Sequence, residues 1–472
     1  MTHTISKFKT ADGKAVAESL EKIKKDGLGT FITVMTDCES AKTAGSGPLA
    51  GVPVAVSDNI STKAVETTCA SKIMKGYVPP FSGKAVDDLE QAGAVIVGKT
   101  NMAEFGIFGA PSAYGPVKNP WDKTKKGGPS GSAAAVAAGE VAAAVCSDAG
   151  GILRVSAAYC GTTAFKPTYG AVSRFGLIYY TGSLDQIGVT ASTVSDVAAV
   201  MDVLSGNDSR DTTSLPSKTD FSGKIKTGKS DDSGKTCESG NNPLSGVKIG
   251  IPNEYLEGVS SDVMERFEEA VSTFEKLGAV CEKISLKTAK YAQSAHDIIA
   301  AGESSAMLAK FDGTRFGPRA DADNWHEMIA KTRALFGPAV ERRIILGIYL
   351  LMAGRYNDYY MKSMQIRTLI IEEFESVFKE YSLLIAPSAM TAAPDLGVAC
   401  AGGCGEELSS YSSAMAGTDL AGLPVAAVPC GFAGKLPAGL QIIGGYQKDA
   451  DVIATADAFE KATDFVKAPE AV

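Results

Sequence analysis

Apolar residues recur along the chain with two periods, and the clearest example lies in its middle. Residues 247–251 alternate as in a strand, and apolar side chains in residues 263–277 then recur at helical spacing. Ser261 stands where a helix N-cap belongs, and Gly278 follows the last apolar position. Residues 279–284 resume the strand pattern. This order predicts a βαβ unit with parallel strands.

A second unit of the same kind precedes it. Val86, Leu89 and Ala92 have helical spacing, Gly93 ends the pattern, and residues 94–97 read as a buried strand. Alternation of helices and strands over the whole chain predicts an α/β protein.

Two long segments complete the organisation. Residues 338–381 contain an apolar ladder that predicts a helix or helix pair packed on the sheet; its members are Ile344, Leu346, Tyr349, Leu350, Leu369, Ile370 and Phe374. Residues 217–246 are rich in Ser, Gly, Lys and Asp, which predicts a solvated loop insertion. We therefore expect one domain over residues 1–472, with an N-terminal helical segment at residues 1–45.

Composition restricts the class of protein. Hydrophobic residues make up 45% of the chain and charged residues 21%, which argues against disorder. The net charge of −8 disfavours direct binding to nucleic acid. The longest apolar run, residues 344–354, is too short to cross a bilayer, so no transmembrane segment is expected. Without a secretory signal, we expect the cytosol or an organelle matrix, the mitochondrion being favoured among organelles.

The cysteines and histidines exclude several chemistries. Nine cysteines without regular spacing do not suggest a disulfide framework. Cys400 and Cys404 lack further ligands at zinc spacing and are interpreted as part of a flexible loop. Three scattered histidines make a Ser-His-Asp triad a poor first hypothesis. The sequence therefore suggests neither a metal nor a cofactor.

The most informative region is rich in glycine and serine. It contains Gly127-Gly-Pro-Ser-Gly-Ser132 and Ser147-Asp-Ala-Gly-Gly-Ile-Leu-Arg154. With these runs the chain resembles the amidase signature family, and within it the A subunits of glutamyl-tRNA(Gln) amidotransferases. Further matching segments follow in order, at residues 48–53, 67–71, 98–102, 119–122, 166–170, 183–188, 311–313 and 420–424. The resemblance implies an α/β/α sandwich with a mixed, largely parallel central sheet, and carbon–nitrogen amide hydrolysis as the family activity.

The resemblance also implies a catalytic set that this chain does not match. The family uses a lysine base, a bridging serine and a serine nucleophile. Their positions fall on Ser57, Pro129 and Ile152, with Ser130 as the alternative occupant of the bridging position. Ser57 carries no amine, and Ile152 has no nucleophilic atom.

Two further sites follow from the resemblance. The turn that holds the oxyanion falls on Ala149, Gly150, Gly151 and Ile152, which keep its glycines. Arg343 matches the arginine that binds the substrate carboxylate. Ser412 occupies the place of the aspartate that receives the substrate amino group.

These substitutions suggest three functions. The first is a catalytically inactive pseudo-amidase that serves as a structural or scaffold component of a larger assembly, with protein partners. The alternatives are a functional A subunit of glutamyl-tRNA(Gln) amidotransferase, or a protein that binds a ligand in the former pocket. We also expect Ile152 to fill part of that pocket and make it small, dry and apolar.

Overall fold

The computed structural model describes residues 3–9, 14–35, 47–227, 242–397 and 413–469. Eleven strands form one sheet: β1 (Phe31–Val34), β2 (Pro53–Ser57), β3 (Val95–Thr100), β4 (Ala143–Asp148), β5 (Thr163–Lys166), β6 (Gln186–Ala191), β7 (Lys248–Pro252), β8 (Val280–Ile284), β9 (Leu383–Pro387), β10 (Val425–Ala433) and β11 (Leu436–Gly444). Their order across the sheet is β1-β3-β2-β4-β6-β5-β10-β11-β9-β7-β8.

Helices cover both faces of this sheet. They are α1 (Ile5–Phe8), α2 (Lys14–Asp26), α3 (Lys84–Gln91), α4 (Gly131–Ala137), α5 (Ile152–Cys160), α6 (Val194–Leu204), α7 (Phe221–Thr227), α8 (Ser261–Lys276), α9 (Ala289–Met307), α10 (Trp325–Arg333), α11 (Pro338–Leu351), α12 (Lys362–Val377), α13 (Ser413–Leu420) and α14 (Asp449–Lys461). One core packs α3, α6, α8 and α14 on the sheet, and a second joins α5, α9, α11, α12 and α13. This is the expected three-layer arrangement.

The predicted fold class is confirmed, and the pairing shows where the sheet is parallel. Among the described strands, β2 pairs in parallel with β3 and β4, and β7 with β8 and β9. The pairings between these two flanks are antiparallel. A two-residue turn at residues 434–435 joins β10 to β11 and makes that pair antiparallel. The sheet is mixed, as expected, but it is not largely parallel: parallel pairing is confined to the flanks, and the described pairings are four parallel and six antiparallel.

Both predicted βαβ units are present. α8 connects β7 to β8, whose parallel register places Lys248 opposite Val280. α3 lies between β2 and β3, and Gly93 after it has a φ of +86°, the left-handed conformation that ends many helices.

Three segments differ in detail from the sequence-based expectation. Within the predicted loop at 217–246, residues 221–227 form α7, because the Phe221 ring is buried 5.7 Å from the Phe165 ring. Residues 228–241 lie outside the described residues. The N-terminal segment at 1–45 contains strand β1 as well as α1 and α2.

The third segment is the predicted helix pair at residues 338–381. α11 and α12 are present, joined through a π-helical turn at Asn357–Met361. Ile344, Leu350, Ile370 and Phe374 of its ladder are buried, as expected. The other three members, Leu346, Tyr349 and Leu369, are exposed. No helix in the described ranges has the length and apolar character that spanning a bilayer requires.

Candidate functional site

The glycine turn connects the end of β4 to the start of α5. Gly151 has a φ of +83°, a conformation that L side chains rarely adopt, and an added methyl group would lie 2.9 Å from the Met415 side chain. The amides of Gly150 and Gly151 donate to Asp148 Oδ1 at 3.3 and 2.6 Å. Asp148 therefore accepts hydrogen bonds from two N–H groups of the turn and stabilises its conformation.

Asp148 also belongs to a buried group of charges, here called the ionic cluster: Asp148, Arg154, Lys166 and Asp419. Arg154 Nε donates to Asp148 Oδ2 at 2.9 Å, and Arg154 Nη2 donates to Asp419 Oδ1 at 2.6 Å. Arg154 Nη1 reaches Thr418 Oγ1 at 2.9 Å. One guanidinium thus connects the turn after β4 to helix α13.

Burial and neighbouring charges shift the pKa values of residues in the ionic cluster. Burial disfavours ionised Asp148, but the Arg154 guanidinium outweighs burial and holds the pKa of Asp148 below its ordinary value. Burial raises the pKa of Asp419 and lowers the pKa of Lys166 to about 8. Lys166 Nζ donates to the Leu423 carbonyl at 2.5 Å.

A second buried group, here called the apolar cluster, consists of Ser57, Met102 and Ile152. The Ile152 side chain is 2% exposed. A methyl group added at Gly106 would lie 3.5 Å from Met102 Cε, 3.6 Å from Ile152 Cδ1 and 3.7 Å from Ser147 Oγ. Two hydrocarbon groups and one hydroxyl oxygen therefore lie around the same glycine.

Ser57 ends β2 in the same cluster. Its hydroxyl is buried and donates to Met102 Sδ at 3.3 Å. The neighbouring Asp58 accepts from the Thr68 amide at 3.0 Å, and burial raises the pKa of Asp58 to about 6. Asn59 Nδ2 donates to Ser147 Oγ at 2.7 Å. Position 57 therefore carries a weak O–H···S contact in place of an amine.

The two candidates for the bridging position occupy consecutive residues at the start of α4. The Pro129 carbonyl accepts from the Ala103 amide at 2.7 Å. Ser130 is the N-cap of α4, and its amide donates to Ser156 Oγ at 3.0 Å. The Ser156 hydroxyl in turn donates to the Ile152 carbonyl at 2.7 Å. Ser130 is therefore linked to the first turn of α5 by hydrogen bonds through the Ser156 hydroxyl. Pro129 contributes its carbonyl contact with Ala103.

Helix α9 connects the glycine turn to Arg343. His296 Nε2 lies 2.7 Å from the Ala149 carbonyl oxygen, so that this ring nitrogen donates to it. Asp297 Oδ1 lies 3.7 Å from Arg343 Nη2, and Asp297 Oδ2 accepts from Gln293 at 2.9 Å. Although burial opposes ionisation, His296 and Arg343 lower the pKa of Asp297. The predicted carboxylate-binding arginine thus has a carboxylate from its own chain beside it.

The structure gathers most of the predicted site residues around the turn. Ser412 lies outside the described residues, and so do Cys400 and Cys404. In the described ranges, no three His, Cys, Asp or Glu side chains are grouped as a metal site would require. Sequence reasoning missed Met102, His296 and Asp297. Met102 lies in the matching segment 98–102, but no local pattern marks His296 or Asp297, because His296 reaches the turn across 147 residues of sequence.

Comparison with known proteins establishes the family. The family model described as Amidase matches residues 33–453. This chain belongs to the amidase family. The activity of that family is amide hydrolysis.

Individual relatives are similar over nearly the full chain. The A subunit of glutamyl-tRNA(Gln) amidotransferase from Methanococcoides burtonii is 45% identical, over 97% of this chain and 95% of the relative. Its counterpart from Symbiobacterium thermophilum is 43% identical, over 92% and 90%. The crystal structure of the A subunit from Thermotoga maritima has a TM-score of 0.78 at 35% identity, over 97% of this chain and 94% of that one.

These similarities correct the function predicted from the sequence. The hypothesis of a catalytically inactive structural or scaffold protein is wrong as the main interpretation. Similarity to A subunits over the whole length supports the alternative instead, a functional A subunit. The preference for a mitochondrion also gains no support, because these relatives come from archaea and bacteria.

Proposed function

We propose that this chain serves as the A subunit of a glutamyl-tRNA(Gln) amidotransferase and works in a complex with the other subunits of that enzyme. The observation that supports this role is 45% identity over 97% of the chain to a protein of that name. A free-standing amidase would need only the fold, which distant family members share.

The glycine turn and its support favour an amide substrate at this site. The ionic cluster keeps the turn in its left-handed conformation at Gly151, and the first turn of α5 begins directly after it. Backbone N–H groups at the start of a helix stabilise negative charge that develops on a carbonyl oxygen. Arg343 is connected to the glycine turn through residues of α9. Its guanidinium is a cation that would bind a substrate carboxylate in place of Asp297, which it contacts at 3.7 Å.

We further propose that amide hydrolysis in this chain does not use residues 57, 129 and 152. Ile152 has no atom that can attack a carbonyl, Pro129 has no hydroxyl, and Ser57 is not basic at neutral pH. Ser130, Ser147 and Ser156 also carry buried hydroxyls in the same site. Ser147 Oγ adjoins the apolar cluster, and Ser156 Oγ bonds the first residue of α5. These serines are the candidates for a different nucleophile.

The test is conversion of Glu-tRNA(Gln) to Gln-tRNA(Gln) by this chain co-purified with the other amidotransferase subunits of its organism. Glutamine and ammonium chloride are compared as nitrogen donors, because free ammonia bypasses amide hydrolysis. We expect a stoichiometric complex that uses both donors. Failure to form the complex would refute the proposed role in it. Use of ammonium alone would refute hydrolysis and leave the role in the complex standing.

The nucleophile is identified with serine variants of the same complex. Loss of glutamine use, with ammonium use retained, in one of Ser130→Ala, Ser147→Ala or Ser156→Ala would name it. Ile152→Val is the matched control, and we expect it to retain both activities. Glutamine use that survives all three alanine variants would exclude these serines.

A further inference from the structure

Arg343 on α11 and Asp297 on α9 form an ion pair in which the two charges are not joined by a direct hydrogen bond. Asp297 Oδ1 lies 3.7 Å from Arg343 Nη2, which is longer than an N–H···O hydrogen bond. Within the described part of the chain, the Arg343 guanidinium has no other ionic contact and no hydrogen bond. The Asp297 side chain is 37% exposed and that of Arg343 18%, so both charges are open to a ligand from solvent.

The ion pair lies next to the glycine turn. His296 Nε2 is 2.7 Å from the Ala149 carbonyl oxygen of the turn, and His296 Nδ1 is 3.9 Å from Asp297 Oδ1. A single imidazole ring therefore separates the carboxylate of the ion pair from the turn. A ligand that reaches from the turn past this ring meets an anion and a cation side by side.

An acceptor without a donor adjoins Asp297. Gln293 Nε2 donates to Asp297 Oδ2 at 2.9 Å. The oxygen of the same amide, Gln293 Oε1, is buried and has no hydrogen-bond partner among the described residues. Buried polar atoms in proteins are nearly always bonded, so this oxygen requires a donor from solvent or from a ligand. An ammonium group has three N–H donors, enough for the Asp297 carboxylate and for this oxygen.

We propose that Asp297, supported by Gln293, binds the α-ammonium group of the substrate, and that Arg343 binds the α-carboxylate of the same molecule. The inference rests on the proposed function and names its substrate class, an α-amino acid whose side chain ends in an amide. Each charge of the ion pair exchanges its partner for the opposite charge of the ligand, so binding leaves neither charge uncompensated. Ser412, the sequence-based candidate for binding the amino group, carries no negative charge.

This exchange predicts which amides bind weakly. Glutaramate, which is glutamine without its amino group, brings a second carboxylate next to Asp297 and no cation. 4-Aminobutanamide, which is glutamine without its carboxylate, competes with Arg343 for Asp297 and leaves the guanidinium unpaired. Both analogues keep the amide that faces the glycine turn. Their loss of affinity therefore reports on the ion pair.

The first test is isothermal titration calorimetry with glutamine and the two analogues, on the co-purified amidotransferase complex and on the full chain alone. We expect glutamine to bind about ten- to thirty-fold more tightly than either analogue, because each analogue loses hydrogen bonds to a charged group. Glutaramate binding as tight as glutamine binding would overturn the proposal, and so would absence of glutamine binding in both preparations. A chain that binds glutamine with this preference but forms no complex would refute the proposed function alone.

Substitution of Asp297 distinguishes ammonium binding from a purely structural ion pair. Asp297→Asn should weaken glutamine binding about ten-fold or more and leave glutaramate bound at least as tightly, because the repelling carboxylate is gone. Asp297→Glu keeps the charge and should retain the preference for glutamine over glutaramate. An Asp297→Asn variant that loses affinity for both ligands equally, or an Asp297→Glu variant without the preference, would refute the proposal.

Two variants of α11 complete the test. Arg343→Met should weaken the binding of glutamine and glutaramate and leave 4-aminobutanamide bound at least as tightly. Glu341→Gln is the matched control, because it removes an exposed carboxylate from the same helix and should change none of the three affinities. A loss in the control equal to that in Asp297→Asn would show a general effect of charge and would overturn the assignment to Asp297.

Discussion

The ionic cluster and the apolar cluster adjoin the same glycine turn and are equally buried, yet they differ in kind. Asp148 and Arg154 of the ionic cluster match the residues that the family resemblance implies, and every charge there faces an opposite one. In the apolar cluster, positions 57 and 152 carry residues that the resemblance does not imply, and their contacts involve thioether and hydrocarbon groups.

The difference follows from the dependence of each buried charge on its oppositely charged partner. Removing one member of a buried ion pair leaves the other uncompensated, at a cost of about 3–5 kcal/mol. Arg154 contacts two carboxylates, so its loss would affect both. In the apolar cluster, Ile152 needs no polar partner, and the Ser57 hydroxyl is satisfied by one sulfur atom. Substitution there leaves no unpaired charge behind.

The largest expected effect comes from breaking the ionic cluster. Arg154→Met keeps much of the side-chain volume but leaves Asp148 and Asp419 without their guanidinium. We expect the free energy of unfolding to fall by about 3–5 kcal/mol, measured by urea denaturation. Arg343→Met is the matched control: Arg343 is partly exposed and has one long contact, so its loss should cost less than about 1 kcal/mol. Equal losses in the two variants would contradict the distinction between the clusters.

The next effect comes from returning a hydroxyl to the apolar cluster. Ile152→Ser removes buried hydrocarbon and places a polar group beside Met102, so we expect a loss of about 2–4 kcal/mol in the same assay. Ile152→Val removes a single methyl group and should cost about 0.5–1.5 kcal/mol. If Ile152→Ser were as stable as the parent, the site would hold water and would not be packed as described.

The sequence was sufficient to predict the parts of the fold that depend on local pattern. The strand, helix and strand around residues 247–284 follow from apolar spacing and from Gly278, and the structure has them nearly at the predicted bounds. Phe221 shows the limit of this reasoning. A single aromatic residue in a polar stretch anchors α7, because it reaches a ring on β5 far away in sequence.

The site was predictable only where a motif marks it. The turn at residues 149–152 is recognised because its glycines match a family motif. The substitutions at 57 and 152 are recognised because they depart from the family motifs around them. Met102 lies in a matching segment, but its contact with Ser57 depends on the pairing of β2 with β3. Asp297 is beside Arg343 only because α9 packs against α11, which no local pattern reveals.

A smaller effect concerns Asp58, a buried carboxylate that follows Ser57 of the apolar cluster. Burial raises the pKa of Asp58 to about 6, above its ordinary value of 3.8. The folded protein therefore binds this proton more tightly than the unfolded chain. The resulting stabilisation amounts to about 3 kcal/mol; it is present in full below the ordinary pKa of 3.8 and is lost as the pH rises through 6. Asp58→Asn cannot bind this proton, so we expect the difference in unfolding free energy between parent and variant to change by roughly 2 kcal/mol, most of this amount, between pH 4 and 7. A difference independent of pH would show that Asp58 is solvated.

The smallest expected effect is at Ser57. Its hydroxyl has one described hydrogen bond, the 3.3 Å contact with Met102 Sδ, and thioether sulfur is a weak acceptor. Ser57→Ala removes this contact and places a methyl group among buried neighbours, so the free energy of unfolding should change by less than about 1 kcal/mol in either direction. Thr100→Ala is a suitable comparison, because Thr100 is equally buried, lies opposite Ser57 in the β2–β3 register and shares a 2.8 Å hydrogen bond with the Ser132 hydroxyl. Its loss leaves a buried oxygen without that partner and should cost more, about 1–3 kcal/mol. If Ser57→Ala were the more damaging of the two, the Ser57 hydroxyl would have a stronger partner than the sulfur, and the apolar cluster would be more polar than its contacts indicate.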